Sequence, residues 1–138
     1  MFVSIRQLLC RRHKDEFISL IKNYVNILFG NDQEIKALLN GQAQEKISSI
    51  VEIAVVTNGP KGANIYKAND SMFIPPIDGL DVLDTTGAGD LFAAGFLFGF
   101  SKKLTLDDCG KLATKSASLI IQQYGARPLE SLSKLLIT

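Results

Sequence analysis

Residues 84–90 read Asp-Thr-Thr-Gly-Ala-Gly-Asp, and an apolar stretch follows at once over residues 91–100. A Gly-Ala-Gly turn at the start of a helix presents backbone N–H groups without partners inside the helix, at the positive end of its dipole. Small side chains leave these donors open to a phosphate group. Asp90 would lie on the same first turn, where a carboxylate can accept a proton. The junction therefore predicts phosphoryl transfer to a hydroxyl group.

The wider motif carries a resemblance to a known family. Asp84 to Asp90, followed by Ala94-Gly95, resembles the C-terminal signature of the ribokinase (PfkB carbohydrate and nucleoside kinase) family. The helix dipole alone favours Asp in a first turn, but these flanking residues make a purely structural interpretation the weaker one. The resemblance implies that Asp90 is the catalytic base and that Gly87, Ala88 and Gly89 form the anion hole.

The resemblance also implies a substrate class and cofactors. ATP and Mg²⁺ would serve transfer to a sugar or nucleoside hydroxyl, in an adenosine-like or ribose-like acceptor. Two stretches, 26–34 and 116–128, lean toward the adenosine-kinase-like branch. The charge of the chain, +1 at pH 7, gives no broad case for nucleic acid or a membrane as a partner.

Asn31 and Glu34 follow a predicted strand directly, and strand C-terminal ends are where α/β proteins place ligand groups. They match the family's Asn-x-x-Glu element, which implies that they organise hydrated Mg²⁺ and the nucleotide phosphates. Mg²⁺ keeps several waters, so one carboxylate is enough to hold it. The same spacing also fits a helix capping box, and both roles can hold together.

A Thr-x-Gly-x-x-Gly turn follows the next predicted strand, at Thr57, Gly59 and Gly62. The resemblance implies that this turn contacts ATP phosphates, which a hydroxyl and flexible backbone amides can hold. A plain hairpin turn is the alternative interpretation.

Further positions are assigned by the resemblance alone. Asp84 and Thr86, with carbonyl groups of the later segment 123–127, match the region that binds a monovalent cation such as K⁺ in many relatives. Thr114 matches the region that lines the adenine pocket, although core packing is an equal interpretation.

Apolar periodicity predicts alternating helices and strands. Helices are predicted over residues 14–22, 32–39, 44–51, 91–100, 106–123 and 129–137, and strands over 25–29, 53–57, 63–66, 71–74 and 82–83. This alternation predicts an α/β fold. With the resemblance, we expect the C-terminal part of a ribokinase-like α/β/α sandwich, with a mostly parallel sheet and a small antiparallel hairpin.

At 138 residues, the chain is one domain or part of one. Its two cysteines, Cys10 and Cys109, lie far apart and favour reduced thiols. The stretch 91–100 is too short to span a bilayer, and the N-terminus lacks the order of a secretory signal. We therefore expect a cytoplasmic protein.

The resemblance extends from about Lys14 onward and corresponds to only the C-terminal half of the family's fold. We expect a divergent segment over 1–13 and a nucleotide-binding and catalytic part over 14–138, with the family's N-terminal half and lid absent. Two hypotheses follow. The chain is a kinase, active in a complete form or with a complementary N-terminal chain, or it is a truncated remnant or split-gene half that at most binds nucleotide.

Overall fold

The structure is a computed structural model that describes residues 2–4 and 14–122. The chain divides into two compact units, residues 1–73 and 74–138. None of the described helices has the length and apolar character that crossing a membrane requires.

A mixed sheet organises the first unit. Its elements are β1 (Phe2–Ser4), α1 (Lys14–Tyr24), β2 (Ile27–Asn31), α2 (Asp32–Leu38), a 3₁₀ segment (Gln44–Ser49), β3 (Ile53–Thr57), β4 (Ala63–Lys67) and β5 (Asp70–Ile74). Over the described residues, the strand order is β1-β2-β3-β4-β5. The first three strands are parallel, and β4 runs antiparallel to β3. The two-residue link from β4 to β5, with Ala68 at φ 53°, is a hairpin connection.

One face of this sheet holds the core of the first unit. The residues that pack there come from α1, α2, the 3₁₀ segment and three strands, and include Ile21, Leu28, Ile35, Leu38, Ile47, Ala54, Val56 and Tyr66. Strand residues that alternate with these, such as Ile27, Val55 and Ile65, are buried as well. Burial on both faces explains why β2 and β3 read as continuous apolar runs.

Among its described residues, the second unit contains two helices, α3 (Ala88–Ser101) and α4 (Leu106–Ile121). They pack closely because α3 presents glycines to α4. A Cβ atom at Gly95 would lie 2.4 Å from Ser116 Oγ, and one at Gly99 would lie 3.3 Å from Cys109 Sγ. Ala94, which directly precedes Gly95, is exposed.

Several sequence predictions are confirmed. The helices at 14–22, 32–39, 91–100 and 106–123 and the strands at 53–57, 63–66 and 71–74 are present with small shifts of their ends. The strand predicted over 25–29 instead covers Ile27–Asn31. The predicted helix 129–137 and most of the segment 1–13 lie outside the described residues.

Three elements differ from prediction. Residues 82–83 form no strand: both side chains are exposed, and the Leu83 N–H donates to the Ile121 carbonyl at 2.7 Å rather than to a neighbouring strand. Residues 44–49 are a 3₁₀ helix rather than an α-helix, with bonds such as Ile50 N–H to Ile47 C=O. Residues 2–4, predicted to be part of a divergent segment, form a strand beside β2.

Candidate active site

The motif at 84–90 is a turn fastened to the end of α4. The backbone N–H groups of Leu83 and Asp84 both donate to the Ile121 carbonyl, at 2.7 and 3.2 Å. The Asp84 carboxylate accepts the Thr86 N–H at 2.9 Å, as Asp does in an Asx turn. One role of Asp84 is therefore to shape the backbone that leads into α3.

Gly87 turns the chain into α3. Its φ of 81° lies in the left-handed region, which a side chain would strain. The Ala88 N–H donates to Thr85 C=O at 3.2 Å, and the Leu91 N–H donates to Gly87 C=O at 2.9 Å. Between them, the N–H groups of Gly89 and Asp90 have no protein acceptor among the described residues. They are the unsatisfied donors that make a helix N-terminus an anion site.

The space in front of these donors is open. A Cβ atom at Gly89 would have no heavy atom of the described residues within 4 Å, and both Gly89 and Asp90 are exposed. The Asp90 side chain has no hydrogen bond or ion pair with the rest of the described chain. An unengaged carboxylate one residue from free amide donors suits proton acceptance next to a bound anion.

The predicted capping box at the start of α2 is present. The Asn31 side chain accepts the Glu34 N–H, and Glu34 Oε2 accepts the Asn31 N–H, each at 2.8 Å. Glu34 uses only Oε2 in this box, so Oε1 can serve another ligand. In the described part of the chain, no three acidic, His or Cys residues group as a metal cluster; Mg²⁺ that keeps its waters does not need one.

The turn after β3 lies beside Asn31, because Thr57 pairs with Asn31 across the parallel strands. The loop is closed by the Asn58 N–H, which donates to Gly62 C=O at 2.8 Å, and by the Gly62 N–H, which donates to Gly59 C=O at 3.2 Å. Both glycines have positive φ, 57° and 103°. Residues 59–61 form one turn of 3₁₀ helix within the hairpin connection between β3 and the antiparallel β4.

The remaining predicted positions are less informative. The Thr114 hydroxyl, half-buried on α4, donates to the Gly110 carbonyl of its own helix at 3.0 Å. Thr86 is exposed. The segment 123–127, predicted to complete a cation site with Asp84 and Thr86, lies outside the described residues.

A polar cluster centred on Gln44 has no counterpart among the sequence predictions. Its Nε2 donates to Asp32 Oδ1 at 2.8 Å, while its Oε1 accepts from Asn64 Nδ2 at 3.0 Å and from the Tyr66 hydroxyl. Burial, and then the negative charges of Glu45 and Asp32, raise the pKa of the Tyr66 phenol. No local pattern reveals this cluster, because Gln44 is separated from its three partners by 12 to 22 residues in sequence.

Comparison with known proteins decides the family. The profile of the pfkB family carbohydrate kinases matches residues 6–132. The chain belongs to this family. It is 38% identical over 112 residues to an uncharacterized sugar kinase of Archaeoglobus fulgidus, covering 78% of this chain and 44% of that protein.

Two solved structures share its fold. A probable sugar kinase from Rhizobium etli superposes with a TM-score of 0.91 at 38% identity, and an adenosine kinase from Sinorhizobium meliloti with a TM-score of 0.91 at 32% identity. Each comparison covers 99% of this chain and 43% of the other. The chain thus has the ribokinase-like α/β fold over less than half the length of these relatives.

Proposed function

We propose that the protein serves ATP-dependent transfer of a phosphoryl group to a hydroxyl of a sugar or nucleoside. The observation that carries this proposal is the start of α3, where Gly89 and Asp90 are exposed and where their amides and the Asp90 carboxylate have no hydrogen-bond partner among the described residues. Family membership supports it, since kinases of this family use ATP, typically with Mg²⁺.

Each role is assigned within one unit. In the second unit, Asp90 accepts the proton of the acceptor hydroxyl, and the amides of Gly87, Ala88 and Gly89 stabilise charge on the transferring group. Of these, the Ala88 N–H already donates within the turn, so Gly89 is the stronger anion-hole candidate. Electrostatic stabilisation and positioning supply most of the catalysis of phosphoryl transfer.

In the first unit, we assign the strand-end residues to the nucleotide. Asn31, Thr57, Gly59 and Gly62 hold phosphate oxygens, and Glu34 holds hydrated Mg²⁺ through the oxygen that the capping box leaves open. Bound Mg²⁺ would neutralise phosphate charge. Thr114 is proposed to line the base pocket. We further propose a K⁺-type site at Asp84 and Thr86, and a complementary chain as a partner that carries the acceptor-binding half of the family's fold.

The test combines MgATP calorimetry with transfer of labelled γ-phosphate to adenosine and to ribose, for the unaltered chain and for Asp90→Asn, each together with a chain that carries the acceptor-binding half of the fold. We expect Asp90→Asn to keep MgATP affinity and to slow transfer by about 10²–10⁴-fold, the usual contribution of a general base. Unslowed transfer would contradict the role of Asp90. Binding without transfer to either acceptor would favour the alternative, a nucleotide-binding module.

A further inference from the structure

The three hydrogen bonds of Gln44 join elements that are distant in sequence. Asp32 is the first residue of α2, while Asn64 and Tyr66 lie on β4. A carboxylate only accepts hydrogen bonds, so the Gln44 amino group must face Asp32 and the Gln44 carbonyl must face the two donors on β4. The orientation of this carboxamide is therefore fixed by the chemistry of its partners.

The sheet register shows what the cluster spans. Asn31 pairs with Thr57, and Thr57 pairs with Ala63, so these residues form one row across β2, β3 and β4. Asp32 follows Asn31 at one end of this row, and Asn64 follows Ala63 at the other end. Gln44 thus connects both sides of the β3 terminus, where the Thr57–Gly62 turn begins.

Tyr66 also anchors the cluster in the hydrophobic core of the first unit. Asn64 and Tyr66 lie on the same face of β4, because side chains alternate along a strand. Tyr66 is 6% exposed and belongs to the core that holds Ile35 and Ile47. Its hydroxyl therefore offers Gln44 a fixed point, whereas Asp32 is exposed and would otherwise be free to move with the start of α2.

We propose that Gln44 is a positioning residue for the nucleotide phosphates. Through Asp32 it fixes the Asn31–Glu34 element, and through Asn64 it fixes the chain that returns from the Thr57–Gly62 turn. The two phosphate-binding segments then keep one spacing before ATP binds, which lowers the ordering cost of binding. This inference rests on the proposed function, because it gives the phosphates to these segments.

The main variant is Gln44→Leu, which removes all three bonds. The matched control is Gln42→Leu, which alters an exposed glutamine two residues away. We expect Gln44→Leu to weaken MgATP binding about tenfold, the effect of losing roughly one net hydrogen bond. Calorimetry should show no change for Gln42→Leu.

A second pair of variants tests the bond to Asp32 alone. Gln44→Glu is nearly isosteric and keeps acceptors for Asn64 and Tyr66, but places a carboxylate against that of Asp32. Adding Asp32→Asn supplies a donor from position 32, which restores the bond in the opposite direction. We expect MgATP affinity to fall in the single variant and to return to within about threefold in the double variant, a coupling typical of residues in contact.

Amide hydrogen exchange on the full chain measures positioning without ATP. The reporters are the Glu34 N–H, bonded to Asn31, and the Asn58 N–H, bonded to Gly62. In Gln44→Leu we expect both to exchange about tenfold faster while core amides of α4 do not change, because local opening differs from global unfolding.

Two results would overturn the proposal. One is unchanged exchange at Glu34 and Asn58 in Gln44→Leu. The other is an equal acceleration at every amide, α4 included, which would mean that Gln44 only stabilises the fold. If the unaltered chain binds no MgATP, the proposed function fails, and the exchange experiment still decides whether Gln44 positions the two segments.

Discussion

The substitution Gly89→Ala tests whether the glycine is required for folding or for ligand binding. Gly89 has helical backbone, and a Cβ there would meet no heavy atom within 4 Å in the part of the chain that the structure describes. Alanine is favoured over glycine by up to about 1 kcal/mol in a helix. The variant should therefore fold at least as well as the unaltered chain, with a melting temperature up to roughly 4 °C higher.

The same methyl group should impair phosphoryl transfer. Cβ bonds tilt toward the N-terminus of a helix, so the methyl group would project toward the space that a bound phosphoryl group needs. The Gly89 N–H is still present in this variant, but a methyl group that holds the phosphoryl group away from it has the effect of losing one preorganised donor, which lowers the rate by about 10²–10³-fold. We expect transfer to fall by this order while the chain becomes no less stable.

The assay is thermal unfolding, run beside the transfer reaction and MgATP calorimetry. Gly89→Ala is a better probe than Gly87→Val, because Gly87 has φ 81° and any side chain there strains the turn itself. A stable Gly89→Ala chain that transfers phosphate at the unaltered rate would refute the assignment of the anion hole to the start of α3.

Three further outcomes follow from the same geometry. Gly95→Ala should lower the free energy of unfolding by about 1–3 kcal/mol through overpacking, with unchanged transfer per folded molecule; a denaturation curve that does not move would contradict the α3–α4 contact. Asn31→Ala should lower the free energy of unfolding by about 1 kcal/mol, because it removes a helix cap. Glu34→Gln keeps the cap and should weaken only Mg²⁺-dependent ATP binding. If calorimetry shows the same Mg²⁺ dependence for Glu34→Gln and the unaltered chain, Glu34 serves as a helix cap and not as a Mg²⁺ ligand. The pKa of Tyr66 is raised in the folded chain above its ordinary value of 10.0. As pH rises past that value, the unfolded chain therefore loses the Tyr66 proton before the folded chain does, and the free energy of unfolding should fall. Denaturation curves at increasing pH should not show this fall for Tyr66→Phe.

Short-range patterns explain which elements the sequence predicts well. The capping box at Asn31 and Glu34 depends on residues three apart, and its two hydrogen bonds are present. The start of α3 follows from Gly87, the one residue of the turn that must adopt a left-handed backbone. Each of these features is decided by residues close in sequence, so local chemistry is enough to predict it.

Features decided by distant partners are the ones that prediction misses. Leu83 has the residue type of a strand, but its N–H is taken by the end of α4, 38 residues later. The 3₁₀ segment has apolar residues at helical spacing, yet its first residue, Gln44, bonds to α2 and β4. No pattern within residues 44–51 contains those partners.

The glycines show which residue types the fold itself requires. Gly87 is required by its backbone, and Gly95 by the contact with Ser116. Gly89 meets neither condition, since its backbone is helical and the space beside it is open. A helix would be more stable with alanine there. A ligand that needs the space beside the exposed Asp90 carboxylate would explain a glycine at this position, which is why we propose phosphoryl transfer at the start of α3.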